Sequence, residues 1–222
     1  MSRSLYDAVV FDWDGTLIDS TATIARCIQA ACVDADVPIP DWNTALSVIG
    51  LALTPALARC APTATPAQLQ IITNRYRYHY LLGDDQLALF EGAQALLSDL
   101  RAAGFRLAVA TGKNRRGLDR ALELTGLAGV FHTTRCADET AGKPDPLMLH
   151  EIMDELDLAA PRTLMVGDTT HDLQMALHAS CPAAAVTQGA HPEDELLRFA
   201  PVVCVPTVAH LREHLALSAP PR

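Results

Sequence analysis

The chain has 222 residues, half of them hydrophobic, and a formal net charge of −9. That is room for one large α/β domain, or a core with a smaller insert, whose apolar interior needs no disulfide or metal staples. The acidic balance argues against a nucleic-acid backbone or an anionic membrane as the main partner, while a local cation or metal could still hold an anionic substrate.

The stretch Met1-Ser2-Arg3-Ser4-Leu5-Tyr6-Asp7 lacks a long apolar signal region. Charges and prolines interrupt every later apolar run before it reaches membrane-spanning length. The cysteines, Cys27, Cys32, Cys60, Cys136, Cys181 and Cys204, show neither CxxC spacing nor a zinc pattern with histidine. Reduced thiols in a cytoplasmic protein are the expectation. Ala8 to Phe11 read as a short strand of the continuous apolar kind found in parallel sheets. Asp12 and Asp14 stand at its C-terminal end, where open parallel α/β sheets bind ligands. Carboxylates this close need a cation or a shared proton, and hard oxygen ligands suit Mg²⁺. An Asp-Gly turn after a strand is the plainer reading of Asp14-Gly15 taken alone.

From Ser20 the pattern is helical. Ser20 or Thr21 can cap a helix reaching about Val33 or Asp36, with Ile24, Ile28 and Ala31 on one face, stopped by Pro38-Ile39-Pro40. Asp41 is a cap candidate for a short helix through Ala45 and Val48, and Thr54-Pro55 reads as Ncap and N1 of the next. Thr65-Pro66 repeats that signal before a longer helix through Leu69, Ile72, Tyr76 and Tyr80, and Gly83-Asp84-Asp85 closes the region. Residues 20–85 therefore hold helices and no convincing strand, an all-helical insert after the first strand, with 1–19 and 86–222 forming the α/β remainder.

From Leu87 strands and helices alternate. A helix is expected over Ala93 to Ala103, ended by Gly104, then a strand over Phe105 to Ala110 with Thr111-Gly112-Lys113 at its end. A helix over Arg116 to Thr125, a short strand at Val130-Phe131-His132, and a loop from Cys136 to Thr140 follow. Asp145-Pro146 opens a helix through Leu156, Thr163 to Val166 is a strand, and Gly167-Asp168 is its end. A helix to His178, a strand at Ala183 to Val186 and a helix over Glu193 to Phe199 come next. A strand at Val202 to Val205, a helix over Val208 to Leu215 and a frayed Ser218 to Arg222 complete the chain. Such alternation predicts a doubly wound parallel sheet.

Four segments stand out: Asp12-Trp13-Asp14-Gly15-Thr16-Leu17-Ile18-Asp19-Ser20, Thr111-Gly112-Lys113, Gly142-Lys143-Pro144 and Gly167-Asp168-Thr169-Thr170-His171-Asp172. In type and order they resemble the motifs of the haloacid dehalogenase-like hydrolase superfamily, and most of all its phosphoglycolate phosphatase-like subgroup. The resemblance covers nearly the whole chain. It implies a Rossmann-like α/β core with an inserted all-helical cap over the catalytic face, and a phosphatase that uses Mg²⁺ on a small phosphorylated metabolite. The expected form is a monomer or homodimer, with neither nucleic acid nor membrane as partner.

Phosphate ester hydrolysis needs an in-line nucleophile, a proton for the leaving oxygen, positive charge on the phosphoryl oxygens and exclusion of water. Asp12 is the candidate nucleophile, forming an aspartyl-phosphate, and the second oxygen of its carboxylate is offered to the metal. Asp168 is the second carboxylate ligand. The resemblance gives the metal the backbone carbonyl of Asp14 and leaves its side chain as general acid and base. Thr111 and Gly112 are expected to hold the phosphoryl group, and Lys143, matching the family's motif lysine, adds positive charge. Trp13 through its N–H, and Gly15 with Thr16 through their turn, belong to the phosphate-binding set. Asp172 is assigned to a metal-bound water or to orienting Lys143, with a helix N-cap as the competing role. Lys113 reads as a rim contact, and His171 as outside the proton transfer. Arg75, Arg77 and His79 could meet a substrate carboxylate or second phosphate, or simply form a solvated helix face.

Asp14 disfavours dehalogenase chemistry, which needs no acid two residues after the nucleophile. The absence of lysine between Ser20 and Asp85 argues against phosphonate cleavage through a cap Schiff base. Sugar phosphomutase, pyrophosphatase and nucleotidase activities stay open, as does a non-catalytic phosphate-ligand binding protein on the same fold.

Overall fold

The computed structural model describes residues 5–83, 88–215 and 217. Asp84 and Asp85 at the end of the expected helical region, its boundary at 85/86, Leu87 and the terminal segment from Ser218 lie outside the described residues. The sheet has six parallel strands in the order β3-β2-β1-β4-β5-β6. They are β1 (Ala8–Phe11), β2 (Arg106–Thr111), β3 (Thr133–Cys136), β4 (Thr163–Gly167), β5 (Ala183–Val186) and β6 (Val203–Val205). Four helices, α1 (Thr21–Asp34), α2 (Trp42–Ser47), α3 (Leu53–Cys60) and α4 (Pro66–Gly83), follow β1. The rest flank the sheet: α5 (Ala93–Ala102), α6 (Arg115–Leu124), α7 (Leu147–Leu156), α8 (Thr170–His178), α9 (Glu193–Leu197) and α10 (Leu211–His214).

Side chains of a strand alternate between faces, so each central strand feeds two cores. Val9, Phe11, Leu107, Val109, Leu164 and Val166 pack with Leu96, Leu97, Leu100 and Leu118 from α5 and α6. Val10, Ala108, Ala110 and Met165 face the other way, against Met148, Leu149 and Ile152 of α7 and Met175 and Ala176 of α8. Helices on both faces make the doubly wound architecture that the alternation predicts. Ile24, Ile28, Ala31, Leu57 and Ile72 of the first four helices form an apolar cluster of their own, joined by Ala190. The cysteines are free thiols, all buried but Cys204. Among the described residues no helix is long and apolar enough to cross a membrane.

Several boundaries differ from the sequence reading, for local reasons. The third strand is Thr133–Cys136, not Val130-Phe131-His132. Val130 and Phe131 pack on the core, His132 N–H donates to Leu107 O at 2.8 Å, and ladder pairing starts at Ala108↔Thr133. An edge strand tolerates this polar Thr-Thr-Arg-Cys stretch because, among the described residues, one of its sides has no strand partner. α3 begins at Leu53 with Ala52 as its N-cap, so Pro55 falls within the first turn, where its missing N–H costs nothing. Val208–His210 is a 3₁₀ turn leading into the shorter α10. At Asp41 and Thr65 the caps are as read: Asp41 accepts from Thr44 N–H at 2.8 Å, and Thr65 and Gln68 bond reciprocally. Ser20 is the N-cap of α1 but makes no side-chain cap bond, because its hydroxyl has another task.

Candidate active site

In this strand order the chain reverses winding direction between β1 and β4, and a crevice opens at their C-terminal ends. Asp12 follows β1, Thr111 ends β2, and Asp168 follows β4; Asp12 N–H donates to Val166 O at 2.9 Å, which ties the ends of β1 and β4 together. Lys143 arrives from the loop before α7, fully buried, with Nζ 2.6 Å from Asp12 Oδ1 and 2.6 Å from Asp172 Oδ1. Lys143 thus pairs with one oxygen of each carboxylate, and among the described residues Asp12 Oδ2 is buried with no hydrogen-bond partner. One oxygen from each of Asp12, Asp168 and Asp172 falls within 4.8 Å of the others. Three buried carboxylates against one lysine leave an excess of negative charge, which a divalent cation would cancel. Clustered carboxylate oxygens, one of them on Asp12 without a partner, are the donor set such a hard cation takes, so the residues present fit a metal.

The electrostatics agree. Burial pushes the Asp12 carboxyl well above its usual range; Lys143 opposes this, while Asp172 and Asp168 reinforce it. Asp168 is pushed up to about 7, by burial first and then by Asp172. Burial alone would lower the Lys143 ammonium, but Asp12 and Asp172 more than reverse this and hold it charged.

Residues read in other roles, Gly15, Thr16 and Ser20, fix these side chains, together with Gln188, Gly189 and Ala190, which carried no signal in the sequence. Thr16 Oγ1 donates to Asp168 Oδ1 at 2.7 Å and Ala190 N–H donates to Asp168 Oδ2 at 2.8 Å. Ser20 Oγ donates to Asp14 Oδ1 at 2.7 Å. Gln188 reaches Thr16 O at 2.8 Å. Gly15 has φ +81° and its N–H donates to Ile18 O at 2.9 Å, so it shapes the turn; a Cβ there would lie 2.2 Å from Asp168 Oδ2. Gly189 meets the same carboxylate from the other side. Asp172 holds both of its candidate roles, since Oδ2 closes a capping box with Thr169 while Oδ1 faces Lys143.

Asp14 lies outside the carboxylate triplet. Its Oδ1 takes both Ser20 and Lys113, whose Nζ is 3.1 Å away. Thr111 Oγ1 accepts from Lys113 N–H at 3.2 Å, and Trp13 is fully buried with its ring edge-on to Phe131. Gly112 touches the helical region: a Cβ there would sit 2.5 Å from Leu51 O and 2.6 Å from Gly50 O. His171 and His191 both point Nε2 at Ser47 O, at 3.0 and 3.3 Å, which pins the end of α2 above the β4 loop. His171 is thus a bridge to the helical region. Arg75 and His79 both pair with Asp34 of α1, and Arg77 lines the cleft between the helices and the strand ends.

Comparison with known proteins follows the same lines. The family profile of the haloacid dehalogenase-like hydrolases matches residues 9–186. A probable phosphatase, IndB, of Dickeya dadantii is 35% identical over 210 residues, covering 91% of this chain and 90% of that protein. A phosphoglycolate phosphatase of Aliivibrio fischeri is 32% identical over 190 residues, covering 82% and 84%. The crystal structure of a hydrolase from Pseudomonas syringae superposes with a TM-score of 0.87 at 21% identity, over 95% of this chain and 98% of that one, a likeness of fold.

Proposed function

The chain belongs to the haloacid dehalogenase-like hydrolase family, and from that premise we propose that it is a Mg²⁺-dependent phosphatase. Its substrate is a small phosphomonoester, hydrolysed through an aspartyl-phosphate on Asp12, with phosphoglycolate the first to test. One observation carries the reading: a buried Asp12 carboxylate with one oxygen on a buried lysine and the other without a partner, at the crevice of the sheet.

Asp12 and Asp168 would hold the metal together with the Asp14 carbonyl, and Asp172 would act through a bound water or through Lys143. Mg²⁺, when bound, supplies charge that offsets the repulsion between a carboxylate nucleophile and a phosphate dianion. Asp12 attacks phosphorus as the bond to the leaving oxygen breaks, and Asp14 gives that oxygen its proton. Water then attacks the aspartyl-phosphate and returns a proton to Asp14, releasing inorganic phosphate and restoring Asp12. Lys143 stabilises charge on Asp12 and on the phosphoryl oxygens; Thr111 and the Trp13 and Gly112 backbone position that group. Residues 20–85 form a cap over a core of 1–19 and 86–222. Their separate apolar cluster and the seating of Gly50 and Leu51 against Gly112 support this division. A closed cap keeps bulk water out while the ester is attacked and leaves the single water that Asp14 activates to cleave the intermediate.

The test is a phosphate-release screen over phosphoglycolate, sugar phosphates and nucleotides, with Mg²⁺ and with chelator, comparing kcat/KM. Metal-dependent release from at least one ester is expected. Absence of release from the whole panel, p-nitrophenyl phosphate included, returns the chain to a binding role.

A further inference from the structure

Lys113 lies beside Asp14, the residue assigned above to the leaving oxygen. With Asp12, Asp14, Tyr76 and Tyr80 it lines a cleft of about 1350 Å³ between the helices and the strand ends. Its Nζ donates to Tyr80 Oη at 2.8 Å and lies 3.1 Å from Asp14 Oδ1. Tyr76 stacks on Tyr80 at 5.9 Å between ring centroids, which steadies the cap side of this contact. An ammonium carries three N–H donors, so two protein contacts leave one for a ligand. Burial opposes its charge, but Asp14, Tyr80 and Tyr76 outweigh burial and keep the lysine protonated.

The other cations nearby are differently placed. Lys143 is enclosed between Asp12 and Asp172, Arg75 is paired with Asp34, and Arg115 with Glu139 and Asp119. Arg77, Arg116 and Arg120 also line the cleft; among the described residues Lys113 is the cation 3.1 Å from Asp14. In the reaction above the ester oxygen leaves beside Asp14. A substituent one or two carbons further along the alcohol therefore comes within reach of Lys113. A methyl group there leaves a nearly buried N–H without an acceptor, whereas a carboxylate gives it a charge-assisted hydrogen bond.

Building on the phosphatase reading, we propose that Lys113, held by Tyr80, selects the leaving group by receiving a compact carboxylate, so that the preferred substrates are phosphomonoesters of short hydroxy acids. This turns a residue read as a rim contact into a specificity determinant. It also gives the carboxylate role to the core rather than to Arg75 or His79 of α4.

The experiment compares phosphoglycolate with ethyl phosphate, which replaces the carboxylate by a methyl group. In the wild-type enzyme kcat/KM is expected to be about 10- to 100-fold higher for phosphoglycolate, the worth of one charge-assisted hydrogen bond. Lys113→Met is expected to remove most of that ratio, chiefly through a higher KM for phosphoglycolate, and Lys113→Arg to restore part of it. A binding measurement needs no variant: by calorimetry with Mg²⁺, 3-phosphonopropionate should bind the wild-type protein at least tenfold more tightly than propylphosphonate. Hydrolysis of both esters with equal kcat/KM, or an unaltered ratio in a folded Lys113→Met, overturns the assignment and leaves the phosphatase standing. Equal binding of the two phosphonates overturns it as well. No hydrolysis of any ester, p-nitrophenyl phosphate included, overturns both.

Discussion

Asp12, Asp14 and Lys143 differ in what each should cost when changed, because their surroundings differ. Asp12→Asn keeps the shape and removes the oxygen proposed as nucleophile. Turnover should fall at least roughly a thousandfold, while inorganic phosphate still binds by calorimetry; a surviving rate would remove Asp12 from its role. Asp14→Asn should slow alkyl phosphates far more than p-nitrophenyl phosphate, whose leaving group needs no proton, and equal slowing would take the proton transfer away from Asp14. Lys143→Met strands two buried carboxylates, so urea unfolding should show a loss of about 3–5 kcal/mol in the metal-free protein. All three were candidates from the sequence, Asp12 and Asp14 by their place at a strand end and Lys143 by its resemblance to the family's motif lysine, and the structure puts Lys143 against Asp12. The bonds by which Thr16, Ser20 and Ala190 hold Asp168 and Asp14 were not legible: Thr16 was read as part of a turn, Ser20 as a helix cap, and Ala190 was not read at all. A hydroxyl or a backbone N–H is common to too many positions to announce its partner.

Strands and helices were legible where their pattern is strong. Leu96, Leu97 and Leu100 on one face of α5, and the continuous apolar run of β1, are placed as read. β3 was displaced because its apolar neighbours Val130 and Phe131 outweigh it in hydrophobicity, whereas register follows backbone pairing with β2. The contact between the loop after α2 and the strand ends could not be read at all. Gly112 shows why it matters: Gly112→Ala would force Cβ against the carbonyls of Gly50 and Leu51, which are backbone atoms and cannot rotate aside. The loop should shift outward. A fall in kcat/KM of about 10- to 100-fold with an unchanged circular dichroism spectrum is the expected result. Full activity in that variant would mean that this loop does not set the geometry of the site.

The molecule as a whole concentrates negative charge at the switch point of its sheet, and this gives a pH dependence of definite sign. Asp168, at about 7 in the folded metal-free protein, lies above the ordinary carboxylate value, so the folded state holds a proton that the unfolded chain has released. The stability from this proton is complete below the usual carboxylate range and is lost as pH rises through about 7. A metal reverses the dependence, since it takes the ionised form. Mg²⁺ affinity should therefore rise about tenfold from pH 6 to pH 8 by calorimetry, and Mg²⁺ should raise the melting temperature more at pH 8. A flat affinity across that range would exclude a proton held at this cluster. The order of motifs, the βα alternation and the residue types of the candidate site were fixed by local sequence, because strand period, helix caps and carboxylate chemistry act over a few neighbours. Which carboxylates share one site, which hydroxyls hold them, and that Lys113 and Tyr80 meet beside Asp14 depend on segments far apart in the chain. Strand pairing and the packing of the helices over the sheet bring those segments together, and no local pattern encodes a distance between them.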